Sequence, residues 1–173
     1  MIRFACMFPS FLSLLVTVTV GHAGQPQESK SWPAEQLTGL WQQYDDDTKL
    51  LSSLVRIVHT ADDQYEGFVE KVIPGPGEDP NPRCRKCEGE LKDKPVLGIR
   101  VLWSLRRVDE THFEHGEIID PDDGTVYRLK IAVVDKGRKI EVRGYKGISL
   151  FGRTQVWLRA PATTLPAEST STH

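Results

Sequence analysis

From Leu40 to Arg159 apolar and polar residues alternate with a period of two, in one short segment after another. In Leu51–Val58, the residues Leu51, Ser53, Val55 and Ile57 share one face, and Ser52, Leu54, Arg56 and Val58 the other. Gln64–Ile73 sets Tyr65, Gly67 and Val69 against Glu66, Phe68 and Glu70. Val96–Val108 sets Leu97, Ile99, Val101, Trp103 and Leu105 against Gly98, Arg100, Ser104 and Arg106. Leu40–Tyr44, Thr111–Ile119, Thr125–Val134, Lys139–Tyr145 and Arg153–Arg159 complete a set of eight. Successive side chains of a strand point to opposite faces, so this period predicts strands that each bury one face.

The separators carry turn chemistry. Asp45-Asp46-Asp47, Ala61-Asp62-Asp63 and Asp135-Lys136-Gly137 divide neighbouring segments, and Asp120-Pro121-Asp122-Asp123-Gly124 is the strongest turn of all. Proline pre-sets one turn position, and Asp-Gly supplies a left-handed one. Short links between consecutive strands make them antiparallel neighbours. No helical period long enough for a crossover helix separates them. Eight such strands without covering helices hide their apolar face by closing on themselves or by folding into a sandwich. Because the hairpins are consecutive, the prediction is all-β: a single eight-stranded antiparallel up-and-down barrel.

The ends read differently. Met1–Ala23 has a positive start at Arg3, an apolar stretch to Val20 and small residues at Gly21 and Ala23, the layout of a cleaved signal peptide. The apolar run is short for a membrane anchor and is interrupted by Pro9 and several Ser and Thr. Residues 24–37 form a leader, with one short helical turn expected over Ser31-Trp32-Pro33-Ala34-Glu35. Residues 38–159 form the barrel, and 160–173 lack apolar periodicity and read as a disordered tail. Such a chain is periplasmic or secreted, with no transmembrane segment once the signal is removed.

Composition narrows the function only by exclusion. The chain has 173 residues with 22 Lys+Arg against 24 Asp+Glu, a formal charge of -2, without the basic excess of a nucleic-acid binder. Removing 23 residues takes away Arg3 alone and leaves 21 − 24 = -3. It also reduces three cysteines to Cys84 and Cys87, inside a long Pro- and Gly-rich connection from Pro74 to Lys94. Connections of that length are often lids or binding loops. Three readings of the pair stay open: a disulfide stiffening the loop, favoured by an oxidising compartment; a redox dithiol, for which the following residues are a poor helix; and half a metal site, for which no partner histidines are spaced as ligands. His112 and His115, three apart in a strand, point to opposite faces and make a poor chelate. No nucleophile–base spacing, phosphate loop or metalloprotease motif occurs, so no enzyme, cofactor or metal is predicted.

Gly39-Leu40-Trp41, at the head of the first strand, resembles the opening of lipocalins and other calycins. That likeness implies a tryptophan packed at the closed end of the barrel under an arginine of the last strand, here Arg159, with Arg153 second. Further stretches resemble a bacterial family of exported proteins, the domain of unknown function twenty-one forty-seven. They are Cys84-Arg85-Lys86-Cys87 with Gly89; Lys94-Pro95-Val96-Leu97-Gly98; Ile119-Asp120-Pro121 with Gly124 and Tyr127; Glu141-Val142-Arg143-Gly144-Tyr145; and Gly147-Ile148-Ser149-Leu150-Phe151-Gly152-Arg153-Thr154-Gln155. The resemblance spans about Thr38 to Arg159. It implies a lipocalin-like barrel in the cell envelope or outside the cell, and no established reaction.

An eight-stranded barrel is filled by side chains or holds one small ligand. The interior candidates are Tyr65, Val69, Leu97, Ile99, Val101, Trp103, Phe113, Tyr127 and Leu129, with Arg100 and Arg106 outward in the same register. The first expectation is a carrier of a small hydrophobic or amphipathic ligand, lipid or fatty-acid-like. The second is a filled barrel that binds an envelope protein partner. The third is a thiol–disulfide protein using Cys84 and Cys87. The apolar centre of Gly144–Gly152 reads as a tucked hairpin or as a contact surface for a ligand, membrane or partner.

Overall fold

The computed structural model describes residues 36–161. The signal segment, the helical turn over Ser31–Glu35 and all but two residues of the tail lie outside the described residues. Eight strands follow in order: β1 Gly39–Tyr44, β2 Leu51–His59, β3 Tyr65–Val72, β4 Arg100–Arg107, β5 His112–Ile119, β6 Val126–Val134, β7 Lys139–Tyr145 and β8 Gly152–Arg159. Each pairs antiparallel with the next, and β8 returns to β1 through Trp41 opposite Arg159 and Gln42 opposite Leu158, so the sheet is a closed barrel. Closure joins the two terminal strands, which would otherwise be open sheet edges. Among the described residues no helix is long and apolar enough to cross a membrane.

The alternation sorts side chains as the pattern requires in β3, where Tyr65, Gly67 and Val69 are buried and the residues between them are not. β4 departs from it. Gly67 pairs with Leu102 and Phe68 with Arg100, so Val101 is an extra residue; between Leu102 and Leu105 another is inserted, and Ser104 takes a left-handed φ of 57°. Each bulge shifts the inward phase by one residue. Val101, Leu102 and Leu105 therefore all bury. Trp103 turns outward opposite Glu117, donates from its indole nitrogen to Glu117 Oε2 at 2.7 Å and receives the Arg100 guanidinium over its ring. Arg100 also pairs with Glu66. Leu97 sits in a turn before β4 and is 57% exposed. Trp103 and Leu97 are thus not interior residues, contrary to the strict alternation.

One end of the barrel is plugged. Trp41 is fully buried and donates its indole N–H to Leu37 O at 2.8 Å. The Arg159 guanidinium lies 4.2 Å from the Trp41 ring centroid and donates to the carbonyls of Gly137 (2.6 Å), Thr38 (2.9 Å) and Gln36. These three carbonyls belong to the chain entering the barrel and to the β6–β7 turn, so one side chain ties three segments together. Burial lowers the Arg159 pKa. Gly39 makes the approach feasible: its φ is +124°, and a Cβ there would stand 2.7 Å from Arg159 Nη1.

The connection between β3 and β4 is long but packed. Arg83 bridges to Pro95, the Cys84 N–H donates to Lys94 O at 2.9 Å, and Gly89–Leu91 forms one 3₁₀ turn. Cys84 and Cys87 are joined as a disulfide and both are buried. The segment docks on the β5–β6 turn, where a Cβ on Gly124 would lie 2.1 Å from Lys86 O.

Candidate functional site

The two halves of the barrel differ in the volume of their inward side chains. At the plugged end Trp41, Tyr65, Phe113, Leu105, Ile131 and Ile140 are packed without exposure. Tyr65 sits edge-on to Phe113 with centroids 4.9 Å apart and accepts a hydrogen bond from Arg107 Nη2 at 3.1 Å; burial raises its pKa. Toward the other end the inward positions are smaller, including Ser53, Val69, Val101, Val142 and Gly144. A Cβ on Gly144 would meet only ordinary contacts, Tyr127 Cβ at 3.5 Å being the nearest.

The result is a cavity of about 780 Å³, within the range of about 300–1,000 Å³ typical of small-molecule sites. It reaches the end of the barrel that carries the β3–β4, β5–β6 and β7–β8 connections, with Pro74, Asp122 and Lys146 at its rim and Trp157 deeper in its wall. One side is hydrocarbon, from Val69, Val72, Val101, Ile118 and Val142. The facing side, on β1, β2 and β8, is a strip of uncharged polar groups. Ser53, the one buried polar residue among those described, donates to Gln43 Oε1 at 2.7 Å. Gln43 Nε2 approaches Gln155 Oε1 at 3.5 Å, which also accepts from Trp157 Nε1 at 3.1 Å. Gln155 Nε2 donates outward to Asp46, and Asp46 in turn pairs with Arg153. Polarity therefore rises toward the mouth, from an indole to neutral amides to an ion pair.

The rim is charged in sectors. Glu78, Asp79, Asp120 and Asp122 stand on one part of it, and Lys146 and Arg153 on another. Asp122 is exposed at the rim, and partial desolvation by the adjacent chain, then the neighbouring Asp120, Glu78 and Asp123 carboxylates, push its pKa up. Lys146 Nζ sits 5.1 Å from the Tyr127 ring centroid.

Of the nine interior candidates, Val69, Val101 and Tyr127 line this cavity. Tyr65, Ile99, Phe113 and Leu129 are buried away from it, and Leu97 and Trp103 are outside the barrel. Apolar alternation alone does not mark the polar strip. The signal was nonetheless present, because Gln43 is in phase with Trp41, Ser53 with Val55 and Gln155 with Trp157. Among the described residues no three His, Cys, Asp or Glu gather as metal ligands.

Solved structures include one with the same architecture, protein HP1028 of Helicobacter pylori, which is described as belonging to the lipocalin family. It superposes with a TM-score of 0.63 at 17% identity, over 73% of this chain and 84% of that one. At that identity the likeness is one of fold: this is a lipocalin-like barrel. No curated protein matches the sequence. A family model does, across residues 39–159, the stretch that holds every strand and the motifs quoted above. The chain belongs to that family, described as uncharacterized proteins conserved in bacteria, DUF2147.

Proposed function

We propose that the protein is exported and binds a small amphipathic molecule, lipid- or fatty-acid-like, in the open half of its barrel. The observation that carries this reading is the two-sided cavity. Hydrocarbon on one wall rewards burial of an apolar chain at about 25 cal/mol per Å². The neutral strip of Ser53, Gln43 and Gln155 offers a carbonyl or hydroxyl partners that cost little to desolvate. β4 sends Arg100 and Arg106 outward, and its third arginine, Arg107, is held against Tyr65 and Phe113 at the plugged end, so none of the three lines the cavity. A hollow of this size favours ligand binding over a filled barrel that works only through its surface. Burial of Cys84 and Cys87 against the Gly124 turn suits a structural crosslink better than an accessible redox dithiol. Export to the cell envelope is supported by the pattern of Met1–Ala23 and by a disulfide, which persists in oxidising compartments.

The test uses protein recovered from the producing cell. Native mass spectrometry is expected to show a copurifying adduct of lipid mass, and a fluorescent polyene fatty acid is expected to bind with one-to-one stoichiometry. Gly144→Leu projects a side chain into the hollow and is expected to weaken probe binding by about tenfold or more while the urea midpoint stays unchanged. Equal probe binding by the folded Gly144→Leu protein, or an empty wild-type barrel that takes no apolar probe, would end the reading.

A further inference from the structure

The β7–β8 connection reads Lys146-Gly147-Ile148-Ser149-Leu150-Phe151, and its apolar side chains are not tucked under the barrel. Ile148, Leu150 and Phe151 are 61%, 76% and 72% exposed. Three large hydrophobic side chains within four residues form a patch, whereas single exposed ones are ordinary. The loop is held in this shape. Arg143, on the outer wall of β7, donates to Ser149 O from Nε at 2.9 Å and from Nη2 at 2.6 Å, and to Leu150 O at 3.3 Å. The Phe151 N–H closes on Ile148 O at 3.1 Å. Leu50, on the neighbouring β1–β2 turn, adds a further exposed apolar side chain.

The loop itself carries charge of one sign, while the neighbouring β1–β2 turn brings Asp46, which pairs with Arg153. From Tyr145 to Thr154 the chain carries Lys146 and Arg153 and no carboxylate, and Arg143 lies beneath. The β5–β6 turn carries Asp120, Asp122 and Asp123 instead.

We propose that this loop docks the open end of the barrel on a lipid bilayer bearing anionic headgroups. Leu150 and Phe151 enter the acyl boundary, and Lys146 and Arg143 lie at headgroup level. An apolar tip flanked by cations suits the membrane interface, where burial of hydrocarbon and attraction to anionic lipid add. A protein partner fits less well. A stable interface covers about 800 Å² on each side, and this patch is a few side chains on one protruding loop. The aspartates of the β5–β6 turn are repelled by the same surface, so the barrel meets the bilayer tilted onto the β7–β8 sector. Phe151 also lines the cavity, so docking brings the mouth to the lipid. The proposal stands whatever the cavity holds.

Flotation with vesicles tests it, using the protein as the producing cell delivers it. One set of vesicles contains phosphatidylglycerol and phosphatidylcholine in equal parts, the other phosphatidylcholine alone. Wild type is expected to float with the anionic set, less with the neutral set, and less as salt screens the cations. Leu150→Ser/Phe151→Ser is expected to lose binding by at least about tenfold with an unchanged urea midpoint, since both side chains already face solvent. Lys146→Gln is expected to weaken binding to the anionic vesicles only. In a Phe151→Trp protein, lipids with brominated acyl chains are expected to quench the added fluorescence. Flotation of the double variant equal to wild type would overturn the proposal and place any membrane contact elsewhere in the chain. Absence of quenching would overturn it as well. So would wild type that ignores vesicles but self-associates through the loop, shown by sedimentation that the double variant abolishes; the patch would then belong to a second copy of the chain.

Discussion

Arg159 shows how much one residue can hold. Its fork satisfies the carbonyls of Gln36, Thr38 and Gly137 while its face covers Trp41. Arg159→Met keeps most of the apolar stem but leaves three acceptors without their donor. Each orphaned buried carbonyl costs about 1–3 kcal/mol where water cannot reach it, so a loss of about 3 kcal/mol is expected in urea unfolding. Arg159→Lys is expected to recover little, because an ammonium lacks the planar fork. A midpoint unchanged in Arg159→Met would refute this account of the plugged end. Asp122 works in the opposite sense. Its pKa is raised from 3.8 in the fold, so the native state holds the proton more tightly than the unfolded chain. The penalty is absent below pH 3.8, appears as pH rises through the folded pKa and is complete above it. Asp122→Asn is therefore expected to raise the melting temperature at pH 7 and to leave it unchanged at pH 3. An equal shift at both values would mean that charge is not the cause.

At the scale of elements, β4 and the disulfide segment carry the lesson. Part of the alternation survives in β4, since Val101 and Leu105 bury while Arg100 and Arg106 do not. Two bulges exchange Leu102 for Trp103 on the inner face, and no local pattern marks them, because both arise in the pairing with β3. The disulfide segment is similar. A ring of four residues constrains the unfolded chain by only about 2 kcal/mol on the entropy model. Its placement depends on the β5–β6 turn some 40 residues on, through Gly124. Gly124→Ala forces a Cβ to within 2.1 Å of Lys86 O and is expected to cost more than about 2 kcal/mol and to make Cys84 and Cys87 more readily reduced. Gly77→Ala is the control, because it shares a positive φ but has nothing within 4 Å, so only about 1–2 kcal/mol of backbone strain is expected. Equal melting temperatures for the two variants would show that the segment does not dock there.

For the whole molecule, hydrophobic order along the chain and hydrophobic order in space are different quantities. Period-two alternation and consecutive turns determined the eight strands and their antiparallel sequence, because both are local properties of a pleated chain. Closure follows from them once no helix is available to cover the sheet. The motifs from Gly39-Leu40-Trp41 to Gly152-Arg153-Thr154 were enough to point to the family. The division of the barrel into a plugged half and a hollow half was decided only by the tertiary structure. It depends on which inward residues share a level, and that is set by strand stagger, the twist of the sheet and the bulges of β4. Tyr65 and Phe113 read as equal in rank to Val69 and Val101 along the chain, yet the first two meet as a packed pair and the second two face open space. The polar strip has the same origin. Gln43, Ser53 and Gln155 are unremarkable on three separate strands, and they become one wall because β8 closes against β1.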